Sequence, residues 1–141
     1  QEKLAPWMQP IFDNLELLIN NTSATKGSKR DSYHELMERG MLVVEPLTYI
    51  RGRSIPNQHM IVDESQNLTP HEMKTIVSRA GEGTKIVLTG DPNQIDNTDV
   101  NLSSNGLSTL VESFKGSQLA GHVRFTSVER SALAELAANV L

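Results

Sequence analysis

A chain of 141 residues, 38% hydrophobic and 21% charged, suits one globular domain, since a domain of about 150 residues buries roughly 68–70% of its unfolded-chain surface. It has no run near the roughly 18 apolar residues of a membrane span, no cysteine for a disulfide, thiolate metal site or thiol nucleophile, and a net charge of −4 rather than the basic excess of a phosphate-tracking surface. The start, Gln1-Glu2-Lys3-Leu4-Ala5-Pro6-Trp7, lacks the basic-then-apolar profile of a signal peptide, so a reducing cytoplasm with no membrane contact is the expected setting.

In chain order, Trp7, Ile11, Leu15, Leu18 and Ile19 recur at helical spacing and predict a helix from Pro6 to about Asn21. A Ser/Thr/Gly-rich stretch follows, with a basic cluster at Lys26, Lys29 and Arg30 that reads first as a solvated loop and second as a local basic strip. Asp31 to Arg39 predicts a short helix capped by Gly40, and Met41 to Leu47 a strand. A second basic pair, Arg51 and Arg53, brackets Gly52. Met60-Ile61-Val62 is short and β-branched, hence a buried strand, and it runs into Asp63-Glu64. Thr69-Pro70-His71-Glu72 places an N-cap, a proline at the first helical position and a glutamate three residues after the cap, so a helix begins there and is expected to end at Ala80-Gly81. Lys85 to Thr89 is the next buried strand, stopped by Gly90-Asp91-Pro92. After an Asn/Asp-rich loop to about Ser104, Leu107, Leu110, Val111 and Phe114 predict a helix ending at Gly116. His122 to Thr126 alternates like a strand, and Glu129 to Leu141 like an Ala/Leu-rich helix. Alternating strands and helices imply an α/β fold with a parallel sheet.

Two strands ending in acidic residues place carboxylates on one sheet edge, the edge at which open α/β folds bind ligands. At the first tip Asp63 and Glu64 are able to divide two tasks, holding a hydrated Mg²⁺ and polarising water, although Glu64 also suits a helix start, where negative charge is favoured anyway. At the second tip, Gly90-Asp91-Pro92-Asn93-Gln94 is by itself an ordinary turn. Its Gln94 amide donates and accepts at once, as orienting a water beside a phosphate requires. His71-Glu72-Met73-Lys74-Thr75 lacks the second histidine of a zinc-protease helix. His34, His59, His71 and His122 show no ligand-like spacing, and the five methionines read as core filler.

The runs Ile61 to Pro70, Ser78 to Lys85 and Leu88 to Asn97, with Pro6 to Leu15 and Glu129-Arg130-Ser131, closely resemble the PhoH-like family of ATPases, in the branch where a PIN-type nuclease domain precedes the ATPase. The resemblance covers nearly the whole chain. It implies a three-layer P-loop NTPase (RecA-like) parallel sheet with flanking helices, similar to the first motor domain of superfamily 1 helicases. It further implies that Asp63 is the Walker B carboxylate holding Mg²⁺ and Glu64 the catalytic base. Gln94 is implied to be the γ-phosphate sensor, with Asp91 beside it, and Arg130 a cation that neutralises charge developing on the phosphoryl group. Arg51 and Arg53 match a motif near the nucleotide or nucleic-acid face. Ser65 departs from the family, which usually has alanine there.

A larger departure concerns the phosphate cradle. No Gly-x-x-x-x-Gly-Lys-Ser/Thr run is present, and the nearest stretch, Thr25 to Lys29, has one glycine and no preceding strand. In the family that loop lies upstream of Trp7, so residues 1–141 are expected to be the C-terminal part of an ATPase domain, with a sheet incomplete on its N-terminal side. Three functions follow as expectations. The first is one side of an ATP- and Mg²⁺-dependent hydrolase acting on RNA or another single-stranded nucleic acid, possible as a homo-oligomer. The second is a non-catalytic assembly or nucleic-acid-binding module, the isolated chain being inactive. The third is a metal-dependent phosphoesterase built on Asp63, Glu64 and Asp91.

Overall fold

The computed structural model describes residues 5–22, 33–50, 52–126, 131–133, 136 and 140. It forms two compact units, residues 1–49 and 50–141. The predicted C-terminal helix lies mostly outside the described residues, with helical backbone at Ala132, Leu133, Leu136 and Val140.

The first unit is helical. Helix α1 (Ala5–Thr22) carries Pro10 inside it, and α2 (Tyr33–Glu38) follows. The covered stripe of α1 is Met8, Phe12, Leu15 and Ile19, at steps of four, three and four residues, while Ile11 and Leu18 face solvent. The expected stripe thus had the right period and was turned about one residue around the axis. What sets the face is Phe12, whose ring stacks on Tyr33 of α2 at 5.4 Å between centroids. Gly40 ends α2 in the predicted way: at φ 67 it is left-handed, its N–H donates to Met37 O, and the Met41 N–H reaches back to Leu36 O. Met41 to Pro46 is not the strand expected. Pro46 has no N–H to give a ladder, no strand lies beside it among the described residues, and Leu47–Tyr49 closes into a 3-10 turn instead.

The second unit is a βαβ unit with a further helix. Strand β1 (His59–Val62), helix α3 (Pro70–Val77), strand β2 (Lys85–Leu88) and helix α4 (Gly106–Ser113) follow one another. The strands pair in parallel, His59 opposite Lys85 through Val62 opposite Leu88, as strands joined through a crossover helix must. Their entry is zipped by Thr84, whose hydroxyl donates to Ile55 O at 2.5 Å and accepts from Gln58 N at 3.1 Å.

Helix α3 starts with the predicted capping box: Thr69 Oγ1 accepts from Glu72 N at 3.2 Å, and Glu72 Oε2 accepts from Thr69 N at 2.9 Å. It stops at Val77, short of the expected Ala80-Gly81, because Ala80 is drawn into a parallel bridge with Ile55 and the Gly81 N–H donates to Ile55 O. Helix α4 is capped by the buried Asn105, which accepts from Ser108 N at 2.9 Å. Its first residue crosses very close to the start of α3. A Cβ on Gly106 would lie 2.8 Å from Met73 Cβ and 2.9 Å from Thr69 O, so only glycine admits the approach.

The core of this unit is small: Ile50, Val62, Leu68, Met73 and Ile76. On the strands, Met60, Val62, Ile86 and Leu88 are the better-covered positions, and Ile61, 72% exposed, and its partner Val87 occupy the other face. Among the methionines expected as core filler, Met73 is buried, Met8, Met37 and Met60 are half-buried, and Met41 is exposed. His122 to Thr126 pairs with no described strand, and Val123 and Phe125 are exposed, so the strand expected there does not form. Its alternation is that of a strand, but alternation in one segment does not supply the pairing, and the sheet holds only β1 and β2 among the described residues.

Candidate functional site at the paired strand tips

Parallel pairing carries on past the last ladder residues and sets Asp63 beside Thr89. The Thr89 N–H donates to Val62 O and the Ser65 N–H to Thr89 O, both at 2.9 Å. The two acidic tips therefore lie side by side on the C-terminal edge of the sheet. Ser65, the departure from the family pattern, is fully buried and adds a tie, its hydroxyl donating to Thr89 O at 2.6 Å. The hydroxyl of Thr89 donates to Asp63 Oδ1 at 2.7 Å, which orients the carboxylate and leaves Oδ2 open at an exposed position.

Glu64 is a left-handed residue, φ 53 and ψ 34, a conformation that non-glycine residues adopt rarely and that here turns the chain out of β1 into the 3-10 turn Ser65–Asn67. Its carboxylate is exposed and accepts from Gln66 Nε2 at 2.6 Å through Oε2. Across the gap, Asp91 builds its own turn. Asp91 Oδ1 accepts from Asn93 N at 3.0 Å and Oδ2 from Gln94 Nε2 at 2.6 Å. Asp91 thus holds the Gln94 amide in one orientation with the rest of that exposed side chain facing out.

Two residues that the motif pattern did not single out join the tips. Gln66, 1% exposed, donates to Gln94 O at 2.9 Å as well as to Glu64, and its Oε1 accepts from Asp91 N at 3.2 Å. Gly90 makes room for it, since a Cβ there would lie 2.5 Å from Gln66 Oε1 and 3.2 Å from Gln66 N. Asn67 fastens the following loop: Oδ1 accepts from Asp96 N at 2.7 Å and Asn97 N at 3.1 Å, and its carbonyl accepts from Asn97 Nδ2 at 2.8 Å. Nothing local in Ser-Gln-Asn marks these amides. The available sign was position, two polar residues between an acidic strand tip and a helix cap, where side chains are free to bond backbone across a gap.

The structure brings Asp63, Glu64, Asp91 and Gln94 together at one edge. Arg51 and Arg130 lie outside the described residues, as do Lys26, Lys29 and Arg30. Arg53 is exposed just after Gly52, which is left-handed at φ 80. Among the described residues no three His, Asp or Glu side chains are placed to share a metal ion. A hydrated Mg²⁺ needs less than that, one or two carboxylate oxygens, its remaining ligands being water and substrate phosphates. The open Oδ2 of Asp63 fits it. His34, His59, His71 and His122 are all exposed, and no described helix is long and apolar enough to cross a membrane.

Paired parallel strands joined by a crossover helix, with carboxylates at both tips, make this an α/β protein whose acidic groups lie on the sheet edge where such folds bind ligands. The comparisons give the family. The whole chain, residues 1–141, matches the family model for PhoH-like protein. It is 55% identical over its full length to Protein PhoH2 of Bacillus subtilis (strain 168), covering 31% of that protein. It is 40% identical over 99% of its length to Protein PhoH2 of Mycolicibacterium smegmatis, covering 30% of that protein. Against the PhoH-like protein of Bacillus subtilis it is 38% identical over 96 residues, 68% of this chain and 27% of that one. The chain belongs to the PhoH family, and it spans about a third of the length of the curated relatives it matches.

Proposed function

We propose that residues 1–141 supply the Walker B and phosphate-sensor side of an ATP-hydrolysing PhoH-like protein that acts on RNA or another single-stranded nucleic acid. The observation that carries this is the locked pair of strand tips, with Asp63, Glu64 and Gln94 at one edge and the turn of each fixed by a buried amide. In this assignment Asp63 offers Oδ2 to a hydrated Mg²⁺, which when bound neutralises phosphate charge. Glu64 takes the proton of the attacking water at Oε1, the oxygen that Gln66 leaves open. Gln94, oriented by Asp91, contacts the γ-phosphate and the water. Arg130 supplies a cation to the transferring group, and Arg51 with Arg53 contributes to the nucleotide or nucleic-acid face.

The fold of the whole domain is part of the same proposal. Parallel sheets are covered on both faces. The exposed Ile61 and Val87, and the unpaired Val123 and Phe125, suit a three-layer RecA-like sheet completed by a strand and phosphate loop from elsewhere in the longer protein. A PIN-type domain ahead of that loop, and association of copies, belong to this picture. The test is Glu64→Gln in the full-length protein. Turnover should fall by at least about 100-fold with ATP binding intact, as expected when one positioned base contributes roughly 10²–10⁴ in rate. Hydrolysis near the parent rate refutes the assignment. Stimulation of the ATPase by single-stranded RNA checks the nucleic-acid part.

The exposed sheet face also supports a second reading, in which these 141 residues act as a non-catalytic assembly module. Calorimetry of ATP·Mg²⁺ against the chain alone separates the two, because micromolar binding contradicts the module.

A further inference from the structure

We propose that Gln66 is a positioning residue that couples the hydrolytic carboxylate to the phosphate-sensing loop, an inference that rests on Glu64 as base and Gln94 as sensor. One amide serves both tips. Its two N–H groups are spent on Glu64 Oε2, at 2.6 Å, and Gln94 O, at 2.9 Å, while Oε1 takes the Asp91 N–H at 3.2 Å. A primary amide has two donors and no more, so neither contact is replaceable from within the side chain. The planar group cannot rotate away from Glu64 without also releasing the backbone of Gln94. The side chain is enclosed, 1% exposed, and packed so close to Gly90 that a Cβ added there would lie 2.5 Å from Oε1.

Glu64 is the other half of the device. Its left-handed backbone, φ 53, folds the chain back so that residue 66 reaches the carboxylate of residue 64. A shift of the Gln94 loop on contact with a γ-phosphate is therefore passed through one rigid group to the carboxylate that activates water. Water activation is thereby tied to the presence of the terminal phosphate, and a bound nucleoside diphosphate leaves the carboxylate in its resting position.

The experiment uses the full-length protein carrying Gln66→Met, which keeps length without polar atoms, and Gln66→Glu, which keeps the acceptor for Asp91 N–H but has no donor. ATP turnover, ATP binding by calorimetry and melting temperature are read together. Both variants should lose about 10- to 100-fold in kcat, the range spanned by one charge-assisted hydrogen bond, with KM and ATP binding within about twofold. In single-turnover measurements, adding Gln66→Met to Glu64→Gln should slow the residual rate by less than about twofold. Losses that multiply independently overturn the proposal. So does an unchanged kcat in either folded variant, or failure of both variants to fold, which would assign Gln66 to the core alone. A Glu64→Gln protein with near-parent hydrolysis fails the base assignment itself; a dead Glu64→Gln beside fully active Gln66 variants fails only the coupling.

Discussion

Replacing Gly90 with alanine adds one methyl at the junction of the two tips. The added carbon would lie 2.5 Å from Gln66 Oε1, 3.0 Å from Leu107 Cδ2 and 3.2 Å from Gln66 N. A comfortable carbon–oxygen contact is about 3.3 Å or more, so the amide must retreat by about 0.8 Å. It is held by three hydrogen bonds and enclosed, and retreat breaks at least the one from Asp91 N. Overpacking costs about 1–3 kcal/mol, and a buried amide left without a partner about 1–3 kcal/mol more, so about 3 kcal/mol is the expected destabilisation. For a domain of about 150–250 residues that lowers the melting temperature by roughly 6–12 °C. Thermal unfolding of the full-length Gly90→Ala protein measures it. The paired control is Gly90→Ala in a Gln66→Ala background, where the 2.5 Å obstruction has been trimmed and only the milder contacts with Leu107 Cδ2 and Gln66 N remain, so the second substitution should cost about 1 kcal/mol or less. A drop below about 2 °C for Gly90→Ala alone, or an equal drop in both backgrounds, refutes the close-packed junction.

Thr69→Ala removes the hydroxyl half of the α3 capping box and should cost about 1–2 kcal/mol by thermal unfolding, with Thr69→Ser near neutral. Asn67→Ala deprives Asp96 N and Asn97 N of their shared acceptor, so amide exchange at those two residues should quicken by about tenfold or more, the amides of β2 serving as the unaffected reference.

Helix caps were the most legible features, because they are written in contiguous residues: Thr69-Pro70-His71-Glu72 at a start and Gly40 at an end behave as their chemistry demands. Strands were legible only where a partner exists. Met60 to Val62 and Lys85 to Leu88 pair with each other, whereas Met41 to Leu47 and His122 to Thr126 carry comparable patterns and stay unpaired among the described residues. A ladder depends on two segments, and a pattern in one of them says nothing of the other. The face of α1 was misread for a related reason, since Phe12 is covered by stacking on a residue outside its own helix.

At the site, the same division holds. The order of residues alone marked Asp63, Glu64 and Asp91, since acidic residues that close apolar runs fall at strand ends, and Gln94 for its amide in the turn that follows. Which atoms meet was decided by the tertiary structure. Parallel register puts Thr89 on Asp63, a left-handed Glu64 brings Gln66 onto its own neighbour, and the bare Cα of Gly90 admits that amide between the tips. Sequence determines which groups a strand can deliver to an edge; only packing in three dimensions decides which of them share a hydrogen bond, because the bonds that tie one tip to the other join residues 25 to 28 positions apart.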